Sequence, residues 1–134
     1  MDSGDIIELD GLRVVIDQVV YQPQQYLPSG GRHCFVYFLT IHNGSGTTVT
    51  IKGRKWVVHE ASGEVTVLEG DGVVGEFPRL EPGEEFSYNS FHVLKTPPGR
   101  AEGSYLGVDD DGQKVLVRIP PFEMALPEAG VGYA

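Results

Sequence analysis

The sequence predicts an all-β protein, an antiparallel β-sandwich of about seven to eight strands. Three observations carry this. Eighteen glycines and nine prolines recur every few residues between apolar runs, a spacing that suits tight turns and short strands. The runs themselves are rich in valine, isoleucine and aromatic residues and tend to alternate with period two. No stretch sustains a helical apolar period. The chain has the length of one domain, residues 1–134, with a core over about 12–126.

The first strand is read from Leu12 to Tyr21, with Leu12, Val14, Ile16 and Val20 facing the core and Arg13 and Asp17 facing out. The polar link from Gln22 to Arg32 is a crossing between strands or a mobile loop, too long for a tight hairpin. His33 to His42 is the strongest strand. Phe35, Tyr37, Leu39 and Ile41 share one face, and Cys34, Val36, Phe38 and Thr40 the other. Both faces are largely apolar, which points to a central strand or to one face forming an interface.

Asn43-Gly44-Ser45-Gly46 turns the chain. Val49 to Lys52 and Arg54 to Glu60 read as strands, either separate or as one bent strand with Gly53 at a bulge, and with Trp56 and Val58 in the core. Ala61 to Glu64 forms a turn, and Val65 to Leu68 returns as the hairpin partner. Glu84 to Leu94 gives a strand burying Phe86, Tyr88 and Phe91. Arg100 to Val108 follows, with Gly103 and Gly107 where a neighbour comes close. Asp109-Asp110-Asp111-Gly112 is a hairpin tip. Lys114 to Ile119 is the last strand, stopped by Pro120-Pro121, with Phe122, Met124 and Leu126 as a short extension and a loosely held tail.

A formal net charge of −9 repels phosphate backbones, which argues against nucleic acid and anionic membranes as partners. The opening MDSGDIIELDG is acidic and lacks a long apolar run, unlike a signal peptide or anchor. The single Cys34 has no internal partner, which fits a reducing cytoplasm. It also removes the paired cysteines of antibody domains, so the comparison falls to sandwiches of the fibronectin type III kind.

One stretch carries a motif. Gly70, Gly72 and Gly75 have GxGxxG spacing, which in a dinucleotide fold closes a strand and opens a helix onto a pyrophosphate. Here Pro78, Pro82 and Gly83 follow, and no useful helix starts among them. A phosphate would also sit beside Glu69, Asp71 and Glu76. The better reading is a glycine-rich β-connection with unusual backbone angles, although a nest of amides can hold phosphate without a helix, supplemented by Arg79, Arg54 or Lys52. The four histidines sit on separate strands without metal-ligand spacing, and the aspartate run lacks the alternation of a calcium loop. No nucleophile elbow or acid–base–nucleophile set assembles, so neither catalytic residues, a metal site nor a cofactor are expected.

Read together, TIHNGSGTTVTIKGRKWVV, GDGVVGEFPRLEPGEEFSY, LKTPPGRAEGSYLGVDDDG and VRIPPF resemble the ApaG domain family from about Val14 to Phe122. The blocks are Asn43-Gly44, the Arg54–Trp56 pair, Gly70 to Gly75, Leu80 to Glu84, Thr96-Pro97, Gly103-Ser104-Tyr105 and Ile119 to Phe122. Phe77 stands where glutamine is usual, Ala101 where methionine is usual, and Lys55 where histidine often precedes the tryptophan. The resemblance implies a fibronectin type III-like sandwich. It links bacterial members to cobalt tolerance and magnesium efflux, and related eukaryotic domains to protein interaction. It also implies a pyrophosphate or nucleotide site at Gly70, Gly72 and Gly75.

Three functions compete. The first is a non-enzymatic binding module whose surface comprises Gly70, Gly72, Val73, Val74, Gly75, Phe77, Arg54 and Trp56, engaging an unidentified protein partner; packing of the loop across one end of the sandwich is the plainer alternative. The second is a nucleotide- or pyrophosphate-binding protein using the Gly70–Gly75 loop. The third is a divalent-cation sensor. A homodimer through the exposed face of the His33–His42 strand is a further expectation.

Overall fold

A computed structural model of the chain describes residues 4–22 and 32–127. Among these residues there are nine strands and no helix: β1 (Ile6–Ile7), β2 (Leu12–Gln22), β3 (His33–Asn43), β4 (Val49–Glu60), β5 (Val65–Asp71), β6 (Arg79–Leu80), β7 (Glu85–Leu94), β8 (Gly99–Asp109) and β9 (Lys114–Met124). Among the described residues, no helix is long and apolar enough to cross a membrane. One sheet has the order β1-β9-β8-β4-β5, with β6 also paired to β4; the other is β2-β3-β7. Among the described strands only β1 and β9 run parallel. This is the predicted sandwich, with two two-residue strands, β1 and β6, added to the seven long ones.

The alternation read along β3 fixes the core. Phe35, Tyr37, Leu39 and Ile41 are buried against Val49, Ile51, Trp56, Val58 and Tyr105 of the facing sheet. Each such side chain contributes roughly 1.5–3 kcal/mol by leaving water. Gly103 and Gly107 do meet a close neighbour: an added Cβ would lie 2.0 Å from the Lys55 carbonyl oxygen and 2.7 Å from that of Thr50.

Four local readings change. In β2 the register shifts between Ile16 and Gln18, so Asp17 is bulged and Val19 and Tyr21, not Val20, pack on the core. In β4 the extra residue is Lys52, one before Gly53, because Ile51 opposes Gly107 and Gly53 opposes Leu106. In β7 strict alternation from Phe86 and Tyr88 carries His92 and Leu94 inward and leaves Phe91 59% exposed. Finally, Pro120-Pro121 does not end β9. Ala101 pairs with Phe122 and Gly103 with Ile119, so both prolines oppose Glu102 alone, in a bulge that needs no amide donor from them. Most of the Gln22–Arg32 link and of the C-terminal tail lies outside the described residues.

Buried His92 stacks on Tyr37 at 5.0 Å between ring centroids and meets Trp56 edge-on at 4.7 Å. Burial lowers its pKa to about 4, so at neutral pH it is an uncharged core residue.

Candidate functional site

The glycine-rich stretch is a small excursion along one edge of β4. Gly53 of β4 pairs with Asp71 at the end of β5, and Thr50 and Val49 pair with Arg79 and Leu80 of β6. Between these contacts the chain leaves the sheet and returns. Gly72 N–H donates to the Lys52 carbonyl at 2.8 Å, and Ile51 N–H to that of Pro78 at 2.8 Å. Inside the excursion Val73 and Glu76 exchange backbone hydrogen bonds of 2.8 and 2.9 Å, closing a two-residue turn over Val74-Gly75.

That turn requires left-handed backbone. Gly72, Val74 and Gly75 have φ of +64°, +43° and +82°. Glycine adopts such angles without strain, and a β-branched residue rarely does. Gly70 serves differently. Its φ is ordinary, but a Cβ there would fall 2.7 Å from a guanidinium nitrogen of Arg54. Arg54 therefore lies across Gly70, and its Nη1 donates to the carbonyls of Asp71 at 2.8 Å and Gly72 at 3.1 Å. The glycine spacing thus serves an arginine clamp and a tight turn.

The amides of Gly72, Val73 and Glu76 are already used within the protein. A shallow concavity of about 510 Å³ beside Gly70 is lined by Glu69 and Asp71 as well as by Arg54 and Lys55. The loop instead presents apolar surface: Val74 is 51% and Phe77 52% exposed, with the Lys52 ammonium 5.5 Å from the centre of the Phe77 ring.

The residues expected at a contact surface divide accordingly. Arg54, Gly70, Val74, Gly75 and Phe77 converge on the loop surface, and Gly72 lies within the loop but is buried. Val73 and Trp56 do not lie on that surface: both are buried in the core, Val73 because it anchors the turn and Trp56 because it faces Tyr37 across the sandwich. Behind the clamp, the Tyr88 and Tyr105 hydroxyls share a hydrogen bond, and burial raises both phenol pKa values well above the ordinary range. No simple spacing signalled the clamp, since Arg54 and Asp71 are far apart in sequence.

The other candidate groups serve structure. Asp109 Oδ1 accepts from the amides of Asp111 and Gln113, which makes the aspartate run a capped hairpin tip. His33 meets Tyr21, His42 meets Glu85 and His59 meets Glu102, each on its own part of the surface. On the outer face of β3, Thr40 donates to Asp17 and shares a second hydrogen bond with Ser87.

Comparison with known proteins points one way. The family model described as DUF525, ApaG domain, matches residues 23–109. Protein ApaG of Vibrio cholerae serotype O1 is 43% identical over 110 residues, covering 82% of this chain and 87% of that protein. Protein ApaG of Sodalis glossinidius is 44% identical over 110 residues, covering 82% and 88%. A crystal structure of a Bordetella pertussis protein superposes with a TM-score of 0.80 at 33% identity, covering 92% of this chain and 99% of that one.

Proposed function

The chain belongs to the ApaG domain family, and from that premise we propose that it is a non-enzymatic protein-interaction module whose contact surface is the loop from Asp71 to Pro78. The observation that carries this is Val74. A β-branched apolar residue stands at φ +43° and half exposed, where asparagine or glycine would hold the turn with less strain. Strain retained at an exposed position is characteristic of functional surfaces. Phe77 lies beside it, and the amides of Gly72, Val73 and Glu76 are engaged in fixing the loop's own backbone.

On this reading the family's link to cobalt tolerance and magnesium efflux runs through the partner. Among the described residues no three His, Cys, Asp or Glu side chains are grouped to hold an ion. The same reading puts the module in the cytoplasm, where a buried thiol such as Cys34 stays reduced.

The test is affinity capture from the native host followed by mass spectrometry, with the wild-type protein and Phe77→Ser in parallel. A partner captured by the wild type should be lost with the variant while the melting curve is unchanged. Retained capture overturns the assignment of this surface. Amide shifts at Gly70 to Gly75 on titration with pyrophosphate would favour the phosphate reading.

A further inference from the structure

The two sheets end side by side on one flank. β5 terminates one sheet and β7 the other, and among the described residues no strand pairs with the outer edge of either. Exposed edges are ordinarily guarded by charges, prolines or bulges. From Phe86 to Leu94, β7 has no formally charged side chain, no proline and no bulge against β3.

Between the edges opens a cleft of about 240 Å³, lined by Thr66 and Leu68 of β5 and by Phe91, His92 and Val93 of β7. Leu68, Phe91 and Val93 are 46%, 59% and 40% exposed. His92 is buried, and its Nε2 has no hydrogen-bond partner among the described residues. At the other end of β7 a second concavity, about 360 Å³, is lined by Glu76, Glu84, Glu85 and Phe86 together with Arg79. Arg79 is already held by Glu81 at 3.2 Å and Asp110 at 3.0 Å. Glu85 faces only His42, and Glu76 takes part in no ion pair among the described residues. One end of the edge is largely apolar, its Glu60 carboxylate taken up by the amides of Lys95 and Thr96; the other gathers three carboxylates, of which Glu84 accepts from the Glu81 amide at 2.8 Å.

We propose that this flank takes an extended, basic-tipped segment of a partner protein, added as a strand to the edge of β7. A bulky apolar side chain would sit among Leu68, Phe91 and Val93, and a lysine or arginine about six residues away, roughly 20 Å along an extended chain, would meet Glu76, Glu84 and Glu85. The strand edge supplies backbone hydrogen bonds, the cleft selects the apolar side chain and the carboxylates set the direction of the segment. This rests on the interaction-module reading and names a surface that meets the Val74–Phe77 loop only at Glu76.

The probes are the peptide Ac-Lys-Lys-Thr-Val-Thr-Ile-Thr-Phe-Thr-amide, its reverse-order counterpart, and versions of both with Glu-Glu for Lys-Lys. Titrated into the isotope-labelled protein at low salt, one lysine peptide should give saturable amide shifts confined to β5, β7 and the residues lining the acidic concavity between Glu76 and Glu84, and should bind at least tenfold tighter than its glutamate version. Phe91→Lys with Val93→Lys should weaken it at least tenfold. Glu76→Lys with Glu85→Lys, which alters only exposed carboxylates, should reverse the charge preference even if the first pair perturbs folding. No shifts at millimolar peptide, shifts elsewhere, or equal binding of both charges would overturn the proposal. Host-partner capture that Phe77→Ser abolishes but the Phe91/Val93 pair leaves intact would overturn this groove while sparing the module. Peptide binding here with capture intact in Phe77→Ser would overturn the loop surface alone.

Discussion

Two glycine-containing turns in this protein solve the same geometric problem differently. At Asp109–Gly112 the local chemistry agrees with the backbone: Gly112 takes the positive φ of +85°, and Asp109 caps the amides of Asp111 and Gln113. At Gly72–Gly75 the backbone is just as tight, yet valine occupies a left-handed position and the exposed surface is Val74 and Phe77. The first turn is composed for folding. The second sets local ease aside for an apolar surface and recovers its rigidity from the Arg54 clamp, as expected where function overrides local preference.

The largest break in this comparison should come from adding one methyl group to each turn. Gly72→Ala places a Cβ 2.3 Å from the Glu76 carbonyl oxygen at φ +64°, and a loss of roughly 3 kcal/mol or more is expected. Gly112→Ala meets nothing within 4 Å, and only the left-handed cost of about 1–2 kcal/mol applies. Paired denaturant melts check both values.

Removing the clamp comes next. Arg54→Leu deletes two charge-assisted hydrogen bonds to loop carbonyls, with an expected cost of about 2 kcal/mol. Amide exchange should quicken at residues 70–76 and stay unchanged at 109–113.

A perturbation from the core should affect both turns alike. His92 titrates near 6.5 when unfolded and at about 4 when folded, so the unfolded state binds more protons as the pH falls through this window. Stability is therefore full above pH 6.5 and declines below it, by roughly 2 kcal/mol between pH 7 and pH 5. Unfolding followed at the two pH values should show this slope in the wild type and a shallower one in His92→Leu.

Much of the fold was legible because alternation and turn chemistry act locally. The four-residue apolar face of β3, the glycines opposite β4 and the hairpin tip all follow from residues a few positions apart. Three of the four misreadings occurred where a bulge or a pairing partner resets that local rule, and the fourth, Phe91, was placed against an alternation that β7 keeps unbroken. Asp17 and Lys52 shift the parity of their strands, and the Pro120-Pro121 pair is accommodated only because Glu102 opposes both residues. The candidate site was half visible. Its glycines could be recognised as turn formers, but the reason for Gly70 is the side chain of Arg54, sixteen positions away, and the φ of Val74 is set by the closing pair at Val73 and Glu76. The cleft between β5 and β7 joins two sheets, so no sequence window contains it.

The smallest effect bears most directly on the central claim. Val74→Asn should relieve the left-handed strain and raise stability by about 1 kcal/mol. Measured side by side on one preparation, the unfolding midpoint should rise while capture of the native partner falls. A more stable variant that captures its partner as well as the wild type would contradict the account, because the strained valine would then serve no contact.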